Sequence, residues 1–291
     1  MKLFKASLLA GVVAASAVSQ AFDTWNYSLV GDYNMGSPGI HASAGQGGNG
    51  AQIEVNGGGT FTGLDGSGAT QTMTYAGTTR TSSQFGRLHS YTELTASNIY
   101  YNAANPDYQH ADGSIDANGS PDGFTSLGFA GFNDTLHYGG TLQAGYKARY
   151  VFFCEGTNSG PGCLADLAFQ IDGYSAESFF SSGDGQNVHF WGTQSYEING
   201  ITPQNVHVQF SNQVVFDLFN YADGLNLHGV SDYSSTLTLD HIEIVDANGA
   251  LVSGVTVTSD SGTNYQVVPE PASFVAVGVG LLCIARRRMA R

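Results

Sequence analysis

Positive charge is the scarcest ingredient of this 291-residue chain. Ten Lys and Arg stand against 24 Asp and Glu, a formal net charge of −14 at pH 7, and charged residues of both signs make up 12% of the sequence. That is about half the ~25% usual in soluble domains. A chain so poor in Lys and Arg cannot neutralise phosphates, which excludes a nucleic-acid partner. Outside the two ends no window sustains a 3.6-residue apolar period, so long amphipathic helices are excluded as well. Gly-x-Ser-x-Gly is absent, and with it the nucleophile elbow of serine hydrolases. No His-x-His, His-x3-His or His-Glu-x2-His spacing supports a zinc site. What the chain has in plenty is glycine, 39 residues, together with 42% hydrophobic and 12% aromatic residues. That apolar content supplies a core and argues against simple disorder.

The ends read as addresses. Lys2 and Lys5 precede an apolar run from Leu8 to Val18 and then Ser19-Gln20-Ala21. Basic residues, a short apolar core and small residues at −3 and −1 are the parts of a secretory signal peptide, expected over residues 1–21, with cleavage after Ala21 or alternatively after Ala17. At the other end Val268-Pro269-Glu270-Pro271 leads into an uncharged apolar run, Ala272–Ala285, and then Arg286-Arg287-Arg288. Fourteen residues of helix cover about 21 Å, short of a ~30 Å hydrocarbon core. Snorkelling Arg side chains extend the reach, and basic residues after the apolar run fix that end on the cytoplasmic side. Physically this is a stop-transfer helix that holds an exported chain to the membrane by its tail.

Val-Pro-Glu-Pro, an apolar stretch and a terminal Arg cluster, in that order, resemble the PEP-CTERM sorting signal of Gram-negative bacteria over residues 267–291. The resemblance implies recognition by exosortase, a membrane-embedded cysteine transpeptidase, and processing near Pro269-Glu270-Pro271. It also implies transfer of the body to the cell surface or extracellular matrix. On this reading the chain is exosortase's substrate and not itself an enzyme. Ser234 to Tyr265 likewise resembles the closing hairpin that often precedes this signal, on a generic β-sandwich body.

Between the ends, residues 22–266 hold four basic residues (Arg80, Arg87, Lys147, Arg149) against 23 acidic ones, a net −19. Such a field repels anionic partners and suits solubility, divalent cations or neutral glycans. Residues 31–68 are Gly-rich and read as short polar strands joined by turns. Further on the period is two. Leu142, Ala144, Tyr146, Ala148 and Tyr150 share one face; Ala165, Leu167, Phe169 and Ile171 point inward; Val206, Val208 and Phe210 oppose His207 and Gln209; Val214–Asn220 reads as a buried strand. Leu237 and Leu239 take one phase and Ile242 and Ile244 the other, which predicts a bulge at Asp240-His241. Asp246-Ala247-Asn248-Gly249 predicts a hairpin turn before a last strand carrying Val255 and Val257. The expected fold is therefore all-β, a β-sandwich with a jelly roll as one form of it, flanked by a signal helix and a short anchor helix.

Few residues carry candidate chemistry. Cys154 and Cys163, separated by a turn-forming loop of eight residues, predict a disulfide in an oxidising compartment. Asp112, Asp116, Asn118 and Asp122 gather oxygen ligands in a turn-rich segment and are the candidates for Ca²⁺, although their order departs from an EF-hand and no Glu closes the site. No other cofactor is expected. Gly45-Gln-Gly47-Gly-Asn-Gly50 matches a dinucleotide fingerprint in letters only, lacking the strand before and the helix after. The recurring Asn187-Val188-His189 and Asn205-Val206-His207 place His on polar strand faces. Phe190, Trp191 and Tyr196 could stack on sugars or fill a core. The expectation is thus a non-catalytic surface or matrix protein, with an extracellular carbohydrate-binding module, Ca²⁺-dependent or not, as the alternative and a secreted hydrolase behind it.

Overall fold

The computed structural model describes residues 23–34, 37–65, 67–101, 123–172, 174–182, 185–198 and 202–265. They form fourteen strands and one 3-10 turn, Leu218–Asn220. In chain order the strands are β1 (Asp23–Asn34), β2 (Ser37–Gly47), β3 (Ala51–Leu64), β4 (Thr70–Gln84), β5 (Arg87–Ser97), β6 (Gly123–Gly140) and β7 (Lys147–Ser159). There follow β8 (Cys163–Ile171), β9 (Tyr174–Ser182), β10 (Gly185–Gly192), β11 (Tyr196–Glu197), β12 (Gln204–Asp217), β13 (Leu227–Val245) and β14 (Val255–Ser259). The signal and anchor segments, the sorting motif and the Ca²⁺ candidates Asp112, Asp116, Asn118 and Asp122 all lie outside the described residues.

All pairings are antiparallel, in two sheets. The first runs β2-β1-β6-β12-β8-β9 with β14 beside β6; the second runs β10-β7-β13-β5-β4-β3 with β11 beside β7. Their faces meet: β6 lies over β4 and β5, β1 over β3 and β4, and β12 over β5 and β13. The pairings are nested. β5 pairs with β13 and β6 with β12, while the chain between them changes sheet at β6–β7 and again at β7–β8.

Alternation explains where the core sits. In β8 and β12 every second residue is buried, including Ala165, Leu167, Phe169 and Ile171 from one strand and Val206, Val208 and Phe210 from the other. With Tyr150, Phe152, Leu237, Leu239 and Ile242 these fill one apolar cluster. A second cluster holds Val30, Val55, Met73, Tyr75, Leu94, Phe124 and Phe216. Between the sheets there is also a layer of small polar side chains. Ser28 Oγ meets Thr81 Oγ1 at 3.2 Å, Thr79 Oγ1 meets Ser126 Oγ at 2.7 Å, and Asn212 Nδ2 donates to Ser90 O and Ser231 O. A Cβ on Gly128 would lie 2.7 Å from Ser90 Oγ. The sheets approach there too closely for anything larger, so small polar side chains fill the gap, some of them hydrogen-bonded across it.

Several local expectations hold. The register of β13 on β7 shifts between Leu239 and His241, where the phase slip places a bulge. The turn at Asp246–Gly249 is present, with Asp246 Oδ1 accepting from Asn248 N and Ala250 N, which depresses its carboxyl pKa. The strand after it does not return along β13. A single bridge, Val245–Leu251, closes the turn, and β14 crosses to pair with β6. Thr141–Tyr146 is not strand: β7 begins at Lys147, and Leu142 and Tyr146 pack against the end of the first cluster from a loop. Val214–Asp217 continues β12 before the 3-10 turn at Leu218. The Gly-rich stretch builds the long strands β2 and β3. Gly57-Gly58-Gly59 lies inside β3, because a Cβ on Gly58 would sit 2.4 Å from Tyr75 O.

The expected disulfide is not formed. Cys154 lies in the middle of β7 and Cys163 opens β8, and these strands belong to different sheets. From Cys154 to Ser159 the chain runs five residues further along β7, roughly 17 Å at strand rise. Only then does it cross over, leaving Cys163 Sγ against Ser159 O and Val230 O. A bridge needs Cα atoms within about 7 Å. Burial pushes the Cys154 thiol pKa up to about 12.

Candidate functional site

Because the sequence places its chemistry in the tail, the point where the folded body hands over to that tail is decisive. The hand-over is built around Asp134, on the inner face of β6 and fully buried. Its Oδ1 accepts from Thr135 N at 2.9 Å and Ser261 N at 3.2 Å; its Oδ2 accepts from Ser261 Oγ at 2.5 Å and Tyr265 Oη at 2.9 Å. Four donors satisfy a carboxylate that would otherwise be costly to bury. Ser261 Oγ also meets Thr263 Oγ1 at 2.9 Å. Tyr265, 1% exposed, packs its ring into the first cluster and accepts at its carbonyl from Ile242 N at 2.7 Å. Burial and the neighbouring Asp134 raise the Tyr265 phenol pKa well above the ordinary range. Alongside, His137 Nε2 and Asp260 Oδ1 lie 2.8 Å apart on the exposed side. Residues 259–265 are thus clasped to β6 and β13, and only Gln266, Val267 and Val268 separate Tyr265 from Pro269. Sequence patterning missed this clasp, since its partners lie 127 and 131 residues apart.

A second cluster lies on the outer face of the first sheet. In β1 the alternation is inverted: Thr24, Asn26 and Ser28 are buried between the sheets, while Trp25 and Tyr27 face outward. Trp25 lies across Gly131, whose added Cβ would stand 2.4 Å from the indole, and stacks on His207 at 6.2 Å and 16°. His207 Nδ1 and Asn133 Oδ1 are in hydrogen-bond contact at 2.5 Å. Burial holds the His207 imidazole pKa below the usual range and raises that of the Asp166 carboxyl.

The remaining sequence candidates fall apart as chemistry. Tyr196 belongs to the core edge, its ring 6.1 Å from Tyr150 and 6.3 Å from Phe169; the side chains of His189, Phe190 and Trp191 lie outside the described residues. His228 pairs with Glu93 at 2.9 Å, and His241 with Asp240 at 2.7 Å. Among the described residues no three His, Cys, Asp or Glu side chains group as metal ligands, and no helix is long and apolar enough to cross a membrane.

The described body is all-β, and its last described contacts, at Tyr265, lie just upstream of the C-terminal tail. The family model of the PEP-CTERM protein-sorting motif matches residues 267–288, so the chain carries that signal at its C-terminus. The motif marks a secreted protein sorted by exosortase, exported across the inner membrane to the cell surface. No curated protein matches the chain.

Proposed function

We propose that the body is a non-catalytic component of the cell surface or extracellular matrix of a Gram-negative bacterium, held by the apolar run 272–285 until exosortase processes the chain near Pro269-Glu270-Pro271. The observation that carries this reading is the clasp. The described body is held to β6 and β13 through Tyr265, upstream of the motif, so processing at the motif leaves those contacts in place. The architecture supports it. β5-β13-β7-β10 and β6-β12-β8-β9 follow the strand order of a jelly-roll sandwich, with the other strands as edge additions. Side-chain chemistry supports it too: Arg149 pairs with Glu243, His228 with Glu93 and His137 with Asp260, cross-strand and loop contacts of a structural kind. Mass spectrometry of surface-isolated protein from hosts with and without exosortase tests the reading. The mature chain is expected to end within 268–271 only when the enzyme is present. An intact Arg286–Arg291 end on surface protein from the normal host overturns it.

A second reading, recognition of a neutral extracellular polysaccharide, draws on one observation. Trp25 lies flat on the sheet beside His207 and Asn133, the combination of aromatic face and polar edge that sugars stack upon. Affinity electrophoresis in neutral glycans, comparing the protein with Trp25→Ala, tests it; equal mobility of the two sinks this reading.

A further inference from the structure

The long β-sheets end in edges, and an edge strand offers a row of unpaired N–H and C=O groups to any chain that can reach it. Proteins blunt such edges with short strands, bulges, proline or lysine. The described edges of this molecule mostly follow that rule. β2 contains Pro38 and faces a register shift at Val30/Gly31. β9 is nine residues long with a shift at Phe169/Gln170, β10 is eight residues long, and β14 is five. β3 is different. It is 14 residues long, pairs with β4 in unbroken register from Ala51–Ser83 to Leu64–Thr70, and contains neither Pro nor Lys.

Its charge is different as well. The body carries a net −19, so two copies repel over most of their surfaces. β3 holds a single charged residue, Glu54, and Arg80 of the neighbouring strand neutralises it at 3.0 Å. The rest of its exposed face is Gln52, Asn56, Gly58, Thr60, Thr62 and Leu64. An antiparallel pairing of two β3 strands about a two-fold at Gly57, Gly58 or Gly59 sets Glu54 opposite Thr60, Thr62 or Leu64 of the other copy. No acid faces an acid in any of these registers.

We propose that β3 is a self-association edge: two copies of this protein join antiparallel through β3, extending the second sheet from one body into the next. Main-chain hydrogen bonds supply the attraction, about one per paired residue, and isologous pairing closes the contact as a dimer. The Gly57–Gly59 run carries no side chains to fix alignment, so register between copies is weakly specified. The inference stands apart from the sorting reading, since it concerns only the folded body.

Sedimentation of the full chain in detergent micelles over a range of concentrations, with amide exchange of β3 followed in parallel, is the test. The wild type is expected to form dimers whose β3 amides become protected as concentration rises. Asn56→Glu/Thr60→Glu puts acids on the edge strand and is expected to weaken the dimer at least about tenfold. Thr72→Glu/Thr74→Glu adds the same charge one strand inward, on exposed positions of β4, and should leave the dimer within about twofold, given that the charges then sit off the paired strand. Far-UV dichroism confirms that each variant is folded. A monomeric wild type, equal weakening by both variants, or β3 protection independent of concentration (another segment of the same chain covering the edge) overturns the proposal.

Discussion

Replacing Asp134 by Asn is the most informative single change in this molecule. The carboxylate holds four donors, two of them the hydroxyls of Ser261 and Tyr265 on a single oxygen. Asn keeps one acceptor, which serves the backbone N–H groups of Thr135 and Ser261. Its amide then presents hydrogens to the two hydroxyls, which must rotate to accept. Hydrogen bonds to a charged group contribute about 1.5–3 kcal/mol each, so the substitution should cost about 3–4 kcal/mol, a large part of the 5–15 kcal/mol typical of a domain. The loss is concentrated at the clasp. Opening of residues 259–265 should rise about 10²-fold to 10³-fold. Two assays read this: the denaturant midpoint, and native-state cleavage by chymotrypsin after Tyr265. The double variant with Ser261→Ala should show a coupling of at least about 1 kcal/mol, because both changes remove the same bond. A variant that unfolds within about 0.5 kcal/mol of wild type and resists cleavage at Tyr265 equally well would refute the reasoning.

Three further outcomes follow from the same structure. Reductant should leave the thermal midpoint of the folded chain unchanged, and native Cys154 should resist alkylation; a fall of several degrees on reduction would show a disulfide that the fold separates. Gly131→Ala should cost about 1–3 kcal/mol through overpacking and shift tryptophan emission, as the new methyl displaces the Trp25 indole; an unchanged spectrum contradicts the stacking. Asp65, held down to about 2 by Ser67 Oγ, Gln71 and the N–H of Ala69, should titrate at that value by carboxyl NMR. Its folded pKa lies below the unfolded one, so the turn's contribution is present above ~4 and is lost as pH falls toward ~2; a carboxyl titrating near 4 removes the effect.

Some of this was legible in the residues alone. Strict alternation in β8 gives its buried face, because a strand between two others in a sheet buries one side whatever its neighbours are. The phase slip at Asp240-His241 gives a bulge, because period two leaves no other way to keep Leu239 and Ile242 both inside. Long-range topology was not legible. A loop of eight residues between Cys154 and Cys163 fits a hairpin and a sheet-to-sheet crossover equally well, and only the crossover separates the thiols. β1 reads backwards for a related reason. Ser28 is polar yet buried, since the hydroxyl of Thr81, 53 residues beyond it, lies 3.2 Å from its own. The clasp shares that origin: an Asp in a strand and a Tyr in a tail carry no local sign that they meet. The sorting motif is the opposite case, a contiguous signal that the residues alone make legible.

The clasp also sets an order of events. The Asp134 carboxylate is made early in the chain, yet three of its four donors belong to Ser261 and Tyr265, among the last body residues to leave the translocation channel. Six residues, 266–271, separate Tyr265 from the apolar run at Ala272, at most about 25 Å of extended chain. The buried acid is therefore left incompletely satisfied until residues 261–265, next to the sorting motif, have taken their places. A chain cut short before Ser261 therefore lacks three of the four donors that this acid needs.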